Sequence, residues 1–215
     1  MKTIALLHTV PSVLASFPND LREALAGEEL LIHNTMDEFL ASDANINGFT
    51  QANLNRLLFI LKAIELETPD LIVVTCSTLG PGVEKIKPFI STPIIVIDDA
   101  MTTKAVSLGQ RITIMATARS TVAPTREKLI SRANGKALEI TELVCDDAYT
   151  AIKKMDKTTH DRLLKEAAAA IKVQEVIVLA QASMGHLEED IAKITVSETL
   201  SSPRLCFEQI KKTLY

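Results

Sequence analysis

Cys76 is the residue whose type and position most readily carry chemistry. The segment Asp70–Gly80 reads DLIVVTCSTLG. Its apolar run, Leu71–Thr75, is too continuous for a half-exposed strand and reads as a central, parallel one. Cys76 then sits where the strand should give way to a turn and a helix. A free thiol ionises near pH 8.5, and a helix N-terminus lowers that value. A thiolate can take a proton from carbon or add to an activated double bond, and a thiol can return a proton. Ser77 and Thr78 follow, and the main-chain N–H groups around Ser77–Gly80 suit a carboxylate. A second polar turn, Thr117–Thr121, offers similar donors through Thr117, Ser120 and Thr121, and Ser183 offers another hydroxyl. His8 and Thr9 close the first apolar run. There His8 can touch a ligand or serve as a satisfied structural histidine. Taken alone, Cys76 would more often be a small buried hydrophobe, and Thr78 and Thr117 turn formers.

The other candidates for chemistry are fewer. Cys145 and Cys206 read as packing residues, and the three cysteines show neither CxxC nor metal spacing. The four histidines are scattered, with no HxxxH or HExxH, so neither a metal nor another cofactor is expected. The net charge is −4, there is no Lys/Arg block and aromatics make up 4%. Those features argue against nucleic-acid binding. No stretch approaches the roughly 20 apolar residues of a membrane span. Met1–Pro11 breaks too early for a secretion signal and reads as a first strand. A cytoplasmic location with reduced thiols is therefore expected.

Short apolar runs alternate with longer helical patterns along the 215 residues. Strands are expected at Thr3–Leu7, Leu30–Asn34, Leu71–Thr75, Ile94–Ile97, Arg111–Ala116, Leu138–Leu143, Val176–Ala180 and Thr195–Val196. Helices are expected at Ser16–Glu29, with Asn19 or Asp20 as cap, then at Asn47–Glu67, Val83–Pro88, Ala100–Gly109, Val122–Ala133, Thr158–Lys172, Gly185–Ala192 and Ser202–Leu214. Asp98 and Asp99 read as caps of the helix near Ala100. This alternation predicts an α/β protein with mainly parallel sheets and right-handed crossovers.

The pattern also repeats. DLIVVTCSTLG at Asp70–Gly80 aligns with EVIVLAQASMG at Glu175–Gly185, an offset of 175 − 70 = 105. TIALLHTVPSV at Thr3–Val13 aligns with RITIMATARST at Arg111–Thr121, an offset of 111 − 3 = 108. Two matches in the same order favour duplication over chance. The fold expected is two similar parallel-sheet α/β domains related by pseudo-twofold symmetry. Ligands bind beyond the carboxyl ends of such strands. The turns at Thr9, Cys76, Thr117 and Gln181 would then line one cleft.

VTCST at Val74–Thr78, PIIVIDDAM at Pro93–Met101, IMATARST at Ile114–Thr121 and VLAQASM at Val178–Met184 together resemble the aspartate/glutamate racemase superfamily over nearly the whole chain. That group includes hydantoin racemases, maleate isomerases and arylmalonate decarboxylases. The resemblance implies cofactor-independent chemistry in which two cysteines face opposite sides of a substrate α-carbon. The first maps onto Cys76. The second maps onto Gln181, whose amide has no titratable proton near neutral pH. What the resemblance then leaves is one-thiol isomerase or lyase chemistry on a small carboxylate or amino acid. The alternative is a non-catalytic binding protein descended from a racemase, and a weaker one is a structural partner of another enzyme. Gln181 is equally a ligand hydrogen-bonder or the mark of a lost site. His186, five places on, lies one turn too far for the family's motif histidine. The resemblance also implies a homodimer, and a C-terminal helix that returns to the first domain. The expected domains are 1–97 plus 197–215, and 98–196.

Overall fold

Two parallel four-stranded sheets form in a computed structural model, which describes residues 1–172 and 175–215. The first sheet contains β1 (Lys2–His8), β2 (Leu30–Met36), β3 (Leu71–Val74) and β4 (Ile94–Val96), ordered β2-β1-β3-β4. The second contains β5 (Arg111–Ala116), β6 (Glu139–Val144), β7 (Val176–Leu179) and β8 (Glu198–Ser201), ordered β6-β5-β7-β8. The two orders are the same when β1 is equated with β5. Among the described residues all six strand pairings are parallel, as the alternation of strands and helices requires.

The helices are α1 (Pro11–Ala24), α2 (Glu38–Asn47), α3 (Gln51–Glu65), α4 (Gly80–Ile86), α5 (Asp99–Leu108), α6 (Val122–Ala133), α7 (Asp146–Lys153), α8 (Lys157–Ala169), α9 (Glu188–Thr195) and α10 (Ser202–Leu214). Short 3-10 turns at Ser77–Leu79, Arg119–Thr121 and Ala182–Leu187 lead into α4, α6 and α9.

Contacts divide the described chain into two units, Met1–Ile97 with Cys206–Tyr215, and Asp98–Leu205. In the first, one sheet face buries Ala5, Leu7, Ile72, Val74, Ile94 and Val96 under Leu40 of α2, Leu57, Leu61 and Ile64 of α3, and Val83 and Ile86 of α4. The alternate residues Ile4, Leu6, Leu71, Val73 and Ile95 are buried as well, so the strands are apolar on both sides. The Phe207 ring of α10 lies 5.0 Å from that of Phe17 in α1.

The second unit builds two apolar layers on its sheet. Ile112, Ile114, Ala116, Val176 and Val178 pack with Met101 and Ala105 of α5 and Leu129 of α6. Met115, Ile177 and Leu179 pack with Ala148 of α7, Leu164 and Ala168 of α8, and Ile191 of α9.

Several elements differ from expectation for local reasons. α1 starts at Pro11, which suits the first turn, so Asn19 and Asp20 lie inside the helix rather than capping it. The expected Asn47–Glu67 helix begins later. Gly48 takes φ +69° after α2, and the Thr50 hydroxyl accepts the Asn53 N–H at 3.2 Å to open α3. Asp98 makes no side-chain cap; its carboxylate instead pairs with Lys128. Thr195 ends α9, and the last strand is Glu198–Ser201 rather than Thr195–Val196. β8 pairs with β7, and the described chain groups with the second unit through Leu205 and with the first from Cys206.

Candidate functional site

In each unit two polar turns leave neighbouring central strands. Leu7 pairs with Val74 at the carboxyl end of the β1–β3 ladder, and Met115 with Leu179 at that of β5–β7. Beyond these pairs the two units make the same main-chain bonds. Thr75 N–H donates to Leu7 O at 3.0 Å, and Ala180 N–H to Met115 O at 2.9 Å. Leu79 N–H donates to Cys76 O at 3.2 Å, and Met184 N–H to Gln181 O at 3.0 Å. Cys76 and Gln181 have nearly the same extended conformation, φ −129° and ψ 112° against φ −133° and ψ 137°. Each precedes a 3-10 turn. The two residues therefore hold equivalent places within their own units.

In the first unit Cys76 is half-buried and packs against the α2–α3–α4 core. Ser77 is half-buried and Thr78 is buried. Thr9, two places beyond Leu7, is buried, and its Oγ1 has no hydrogen-bond partner among the described residues. His8 is fully buried. Its Nδ1 lies 2.9 Å from the Thr75 hydroxyl and its Nε2 3.1 Å from Asn34 Oδ1. With Nε2 protonated toward Asn34, Nδ1 accepts from Thr75. Burial lowers the imidazole pKa below its ordinary value, and the Asn34 contact only partly opposes this. His8 thus braces Thr75, the residue before Cys76, from beneath.

In the second unit Gln181 reaches back over the β5 turn. Its Oε1 accepts the Thr117 N–H at 2.6 Å, the Thr117 hydroxyl at 3.0 Å and the Ala118 N–H at 3.4 Å. Three donors that could hold a ligand oxygen are thus already engaged. Thr121 turns its hydroxyl onto Ala118 O at 2.8 Å, while Ser120 and Ser183 are exposed. Of the expected site residues, His8, Thr9, Cys76, Ser77 and Thr78 gather at the carboxyl edge of the first sheet. Thr117, Ser120, Thr121, Gln181 and Ser183 gather at that of the second.

Three residues or clusters escaped sequence reasoning in detail. The contact between Gln181 and Thr117 depends on side-chain torsion and has no sequence signal beyond the aligned turns. Lys128 joins Asp98 and Asp99, with Arg132 3.1 Å from Asp99. Asp161 lies 2.7 Å from His160 Nδ1 and 2.9 Å from His186 Nε2. His186 is therefore held by Asp161 of α8. Among the described residues there is no group of His, Cys, Asp and Glu fit to hold a metal, and no helix is long and apolar enough to cross a membrane.

The sequence model of the Asp/Glu/Hydantoin racemase family matches residues 18–204. No curated protein sequence matches the chain significantly. Among solved structures, glutamate racemase from Francisella tularensis subsp. tularensis SCHU S4 in complex with D-glutamate superposes with TM-score 0.71 at 14% identity, over 99% of this chain and 81% of that one. Aspartate racemase from Picrophilus torridus gives 0.65 at 16% identity, over 99% and 94%. Allantoin racemase from Klebsiella pneumoniae gives 0.62 at 14% identity, over 99% and 87%. Identities this low establish the fold and leave the substrate open. With a family match over residues 18–204, which takes in three strands of the first sheet, all four of the second and the turns at Cys76, Thr117 and Gln181, the chain belongs to the Asp/Glu/hydantoin racemase family.

Proposed function

We propose that the chain is a cofactor-independent isomerase or lyase acting on a small carboxylate or amino acid through the single thiol of Cys76. The observation that carries this reading is the pairing of Cys76, half-buried beyond β3, with Thr9 beyond β1, whose buried hydroxyl has no partner among the described residues. A buried hydroxyl without a partner costs free energy unless something fills its place, and a carboxylate oxygen suits it. The amino-acid class is supported by the Francisella relative, which was solved with D-glutamate.

Two-thiol racemisation does not fit, because Gln181 can neither take nor give a proton. Cys76 instead delivers its proton to one face of an enediolate left by decarboxylation, or adds as thiolate to an activated double bond. Thr9, Ser77 and Thr78 hold the carboxylate on the first unit. In the second unit the expected ligand-binding residues Thr117, Ser120, Thr121 and Ser183 lie in the turns after β5 and β7, where Ser120 and Ser183 are exposed. His8 acts through Thr75 as a positioning residue. The reading includes a cytoplasmic location and a homodimer, and sedimentation of the purified chain tests the homodimer.

A second reading, a non-catalytic binding protein, is favoured by the engagement of Gln181 with the Thr117 turn. One experiment separates the two. Amino acids and small dicarboxylates, including D-glutamate, D-aspartate and a 2-aryl malonate, are incubated with the protein in D2O and recovered for NMR. Deuterium at the α-carbon that disappears in Cys76→Ala, with the fold intact by circular dichroism, supports the enzyme. Thermal stabilisation by a ligand without deuterium uptake supports the binding protein. Turnover unchanged in Cys76→Ala removes the one-thiol reading.

A further inference from the structure

We infer that Gln181 converts the second unit's anion cradle into a fixed amide-donor subsite, which binds one ligand oxygen through its Nε2 rather than through the Thr117 turn. The inference rests on the reading above for its ligand class, a carboxylate. It concerns a residue for which the family pattern of cysteine supplies no role.

Three donors converge on one side-chain oxygen, and that convergence fixes which end of the amide is which. A flipped amide would set its NH2 against the Thr117 N–H and the Ala118 N–H, donor against donor, with Thr117 only 1% exposed. Each donor so buried without an acceptor would bear its full desolvation cost. The orientation is therefore locked, with Oε1 inward and Nε2 outward. Nε2 makes no hydrogen bond among the described residues, so two N–H donors remain for a ligand.

The equivalent place in the first unit shows the contrast. Cys76 has a shorter side chain and no amide, and the corresponding Thr9 hydroxyl has no partner among the described residues. One half of the repeat thus offers an unfilled turn, and the other a turn already filled by its own side chain. A carboxylate oxygen arriving at the second unit meets a neutral, preorganised donor. Such a donor stabilises developing negative charge without taking part in proton transfer. Gln181 is in this sense a binding group that replaces an acid/base group.

The test uses the full chain labelled with 15N, with D-glutamate, D-aspartate and inorganic phosphate as probes. The Gln181 side-chain NH2 resonances are expected to shift on titration, while the Thr117 and Ala118 backbone amides stay in place because Oε1 keeps them. Movement of the Thr117 and Ala118 amides would mean that the ligand displaces Gln181, and would overturn the inference. A Gln181 side chain silent to all three probes would also overturn it. A response at Thr9 and Cys76 in that same experiment would leave the proposed function standing, whereas silence at Thr9 and Cys76 with a responding Gln181 would remove the proposed function and keep the inference.

Two variants add a readout independent of chemistry. Gln181→Glu retains an inward oxygen for the three donors but replaces the outward donor with an acceptor. It is expected to keep the wild-type melting temperature and to weaken D-glutamate binding at least tenfold. Gln181→Met keeps the length but loses both ends of the amide, and is expected to melt lower than Gln181→Glu. Equal probe affinity in wild type and Gln181→Glu would sink the donor role.

Discussion

His8 Nδ1 lies 2.9 Å from the hydroxyl of Thr75, in a fully buried position below the Cys76 turn. The same ring reaches Asn34 on β2 through Nε2 and meets the Phe17 ring edge-on at 6.3 Å. Three strands and α1 are thus tied to one imidazole. Rigid support of this kind decides whether a reactive side chain keeps its geometry, because positioning errors of about 1 Å already cost large factors in rate.

The burial of His8 has a pH consequence. Its pKa is lowered in the folded protein, chiefly by loss of solvent, from an ordinary value of 6.5. The unfolded chain therefore binds a proton first as pH falls. The stability that neutral His8 contributes is complete above about pH 6.5 and is lost on descending through the folded-state pKa. Urea denaturation of wild type and His8→Gln between pH 7.5 and 4.5 checks this. The wild-type midpoint should fall more steeply with acidification than that of the variant. Parallel curves would show that His8 does not titrate on unfolding.

The Lys128 cluster makes a larger claim on stability. Its ammonium is 12% exposed, pairs with Asp98, and lies 2.8 Å from Asp99. Burial works against its charge, but the two aspartates outweigh that and raise its pKa. Asp98 also keeps a buried oxygen, Oδ2, that has no hydrogen-bond partner among the described residues. Removing the cation leaves buried carboxylate charge uncompensated, a change that costs about 3–5 kcal/mol. Lys128→Met should therefore lower the unfolding free energy by roughly that amount in a denaturant titration. A loss below about 1 kcal/mol would place this cluster with ordinary surface pairs.

The acidic residues that open both repeat segments do related work at the amino ends of the strands. Asp70 accepts the Thr3 N–H at 2.8 Å and the Lys2 ammonium at 2.8 Å. Glu175 accepts the N–H groups of Arg111 at 3.1 Å and Gln110 at 2.6 Å. Those N–H groups hold the Glu175 carboxyl below its usual range. Its contribution is therefore present above about pH 4.5 and fades as pH falls through the lower folded-state value. Glu175→Gln should reduce the melting temperature at neutral pH, and the gap to wild type should narrow on acidification below pH 4.5. A gap constant from pH 7 to pH 3 would rule out the ionised carboxylate as the source.

The strand positions and their parallel character were legible in the sequence because buried parallel strands write themselves as continuous apolar runs. VIVL at Val176–Leu179 is buried on both faces, and such a run resembles nothing else nearby. α2 was not legible for the opposite reason. Among the described side chains of EFLASDANIN, Leu40 alone is fully buried, so no stripe of helical period marks it. β8 was displaced because ETLS carries two polar residues that are buried, Thr199 and Ser201, and does not read as a buried strand. At the site, the repeat by itself puts Cys76 and Gln181 in register, since main-chain equivalence follows from local pattern. The three bonds onto Gln181 Oε1 depend on side-chain torsions and on a neighbouring strand's turn, which a single sequence does not encode locally.

Thiol accessibility provides the last check, and it does not need a substrate. Cys206 is fully buried in α10, and Cys145 and Cys76 are both half-buried. Exposure alone therefore does not rank the last two. Electrostatics does, because the thiolate is the reactive form. The Cys145 thiol is pushed up by burial first, and then by the carboxylates of Asp146 and Asp147. Cys76 has no acidic residue within seven positions on the C-terminal side, and Asp70, six residues before it, is engaged by Lys2 and Thr3 at the opposite end of β3. Limiting iodoacetamide at pH 7.5, followed by peptide mass spectrometry, should label Cys76 first, Cys145 more slowly and Cys206 only on unfolding. The Asp146→Asn, Asp147→Asn double variant should speed Cys145 and leave the Cys76 rate unchanged. Labelling of Cys145 ahead of Cys76 in the wild type would remove the thiol at 76 from its place as the reactive one.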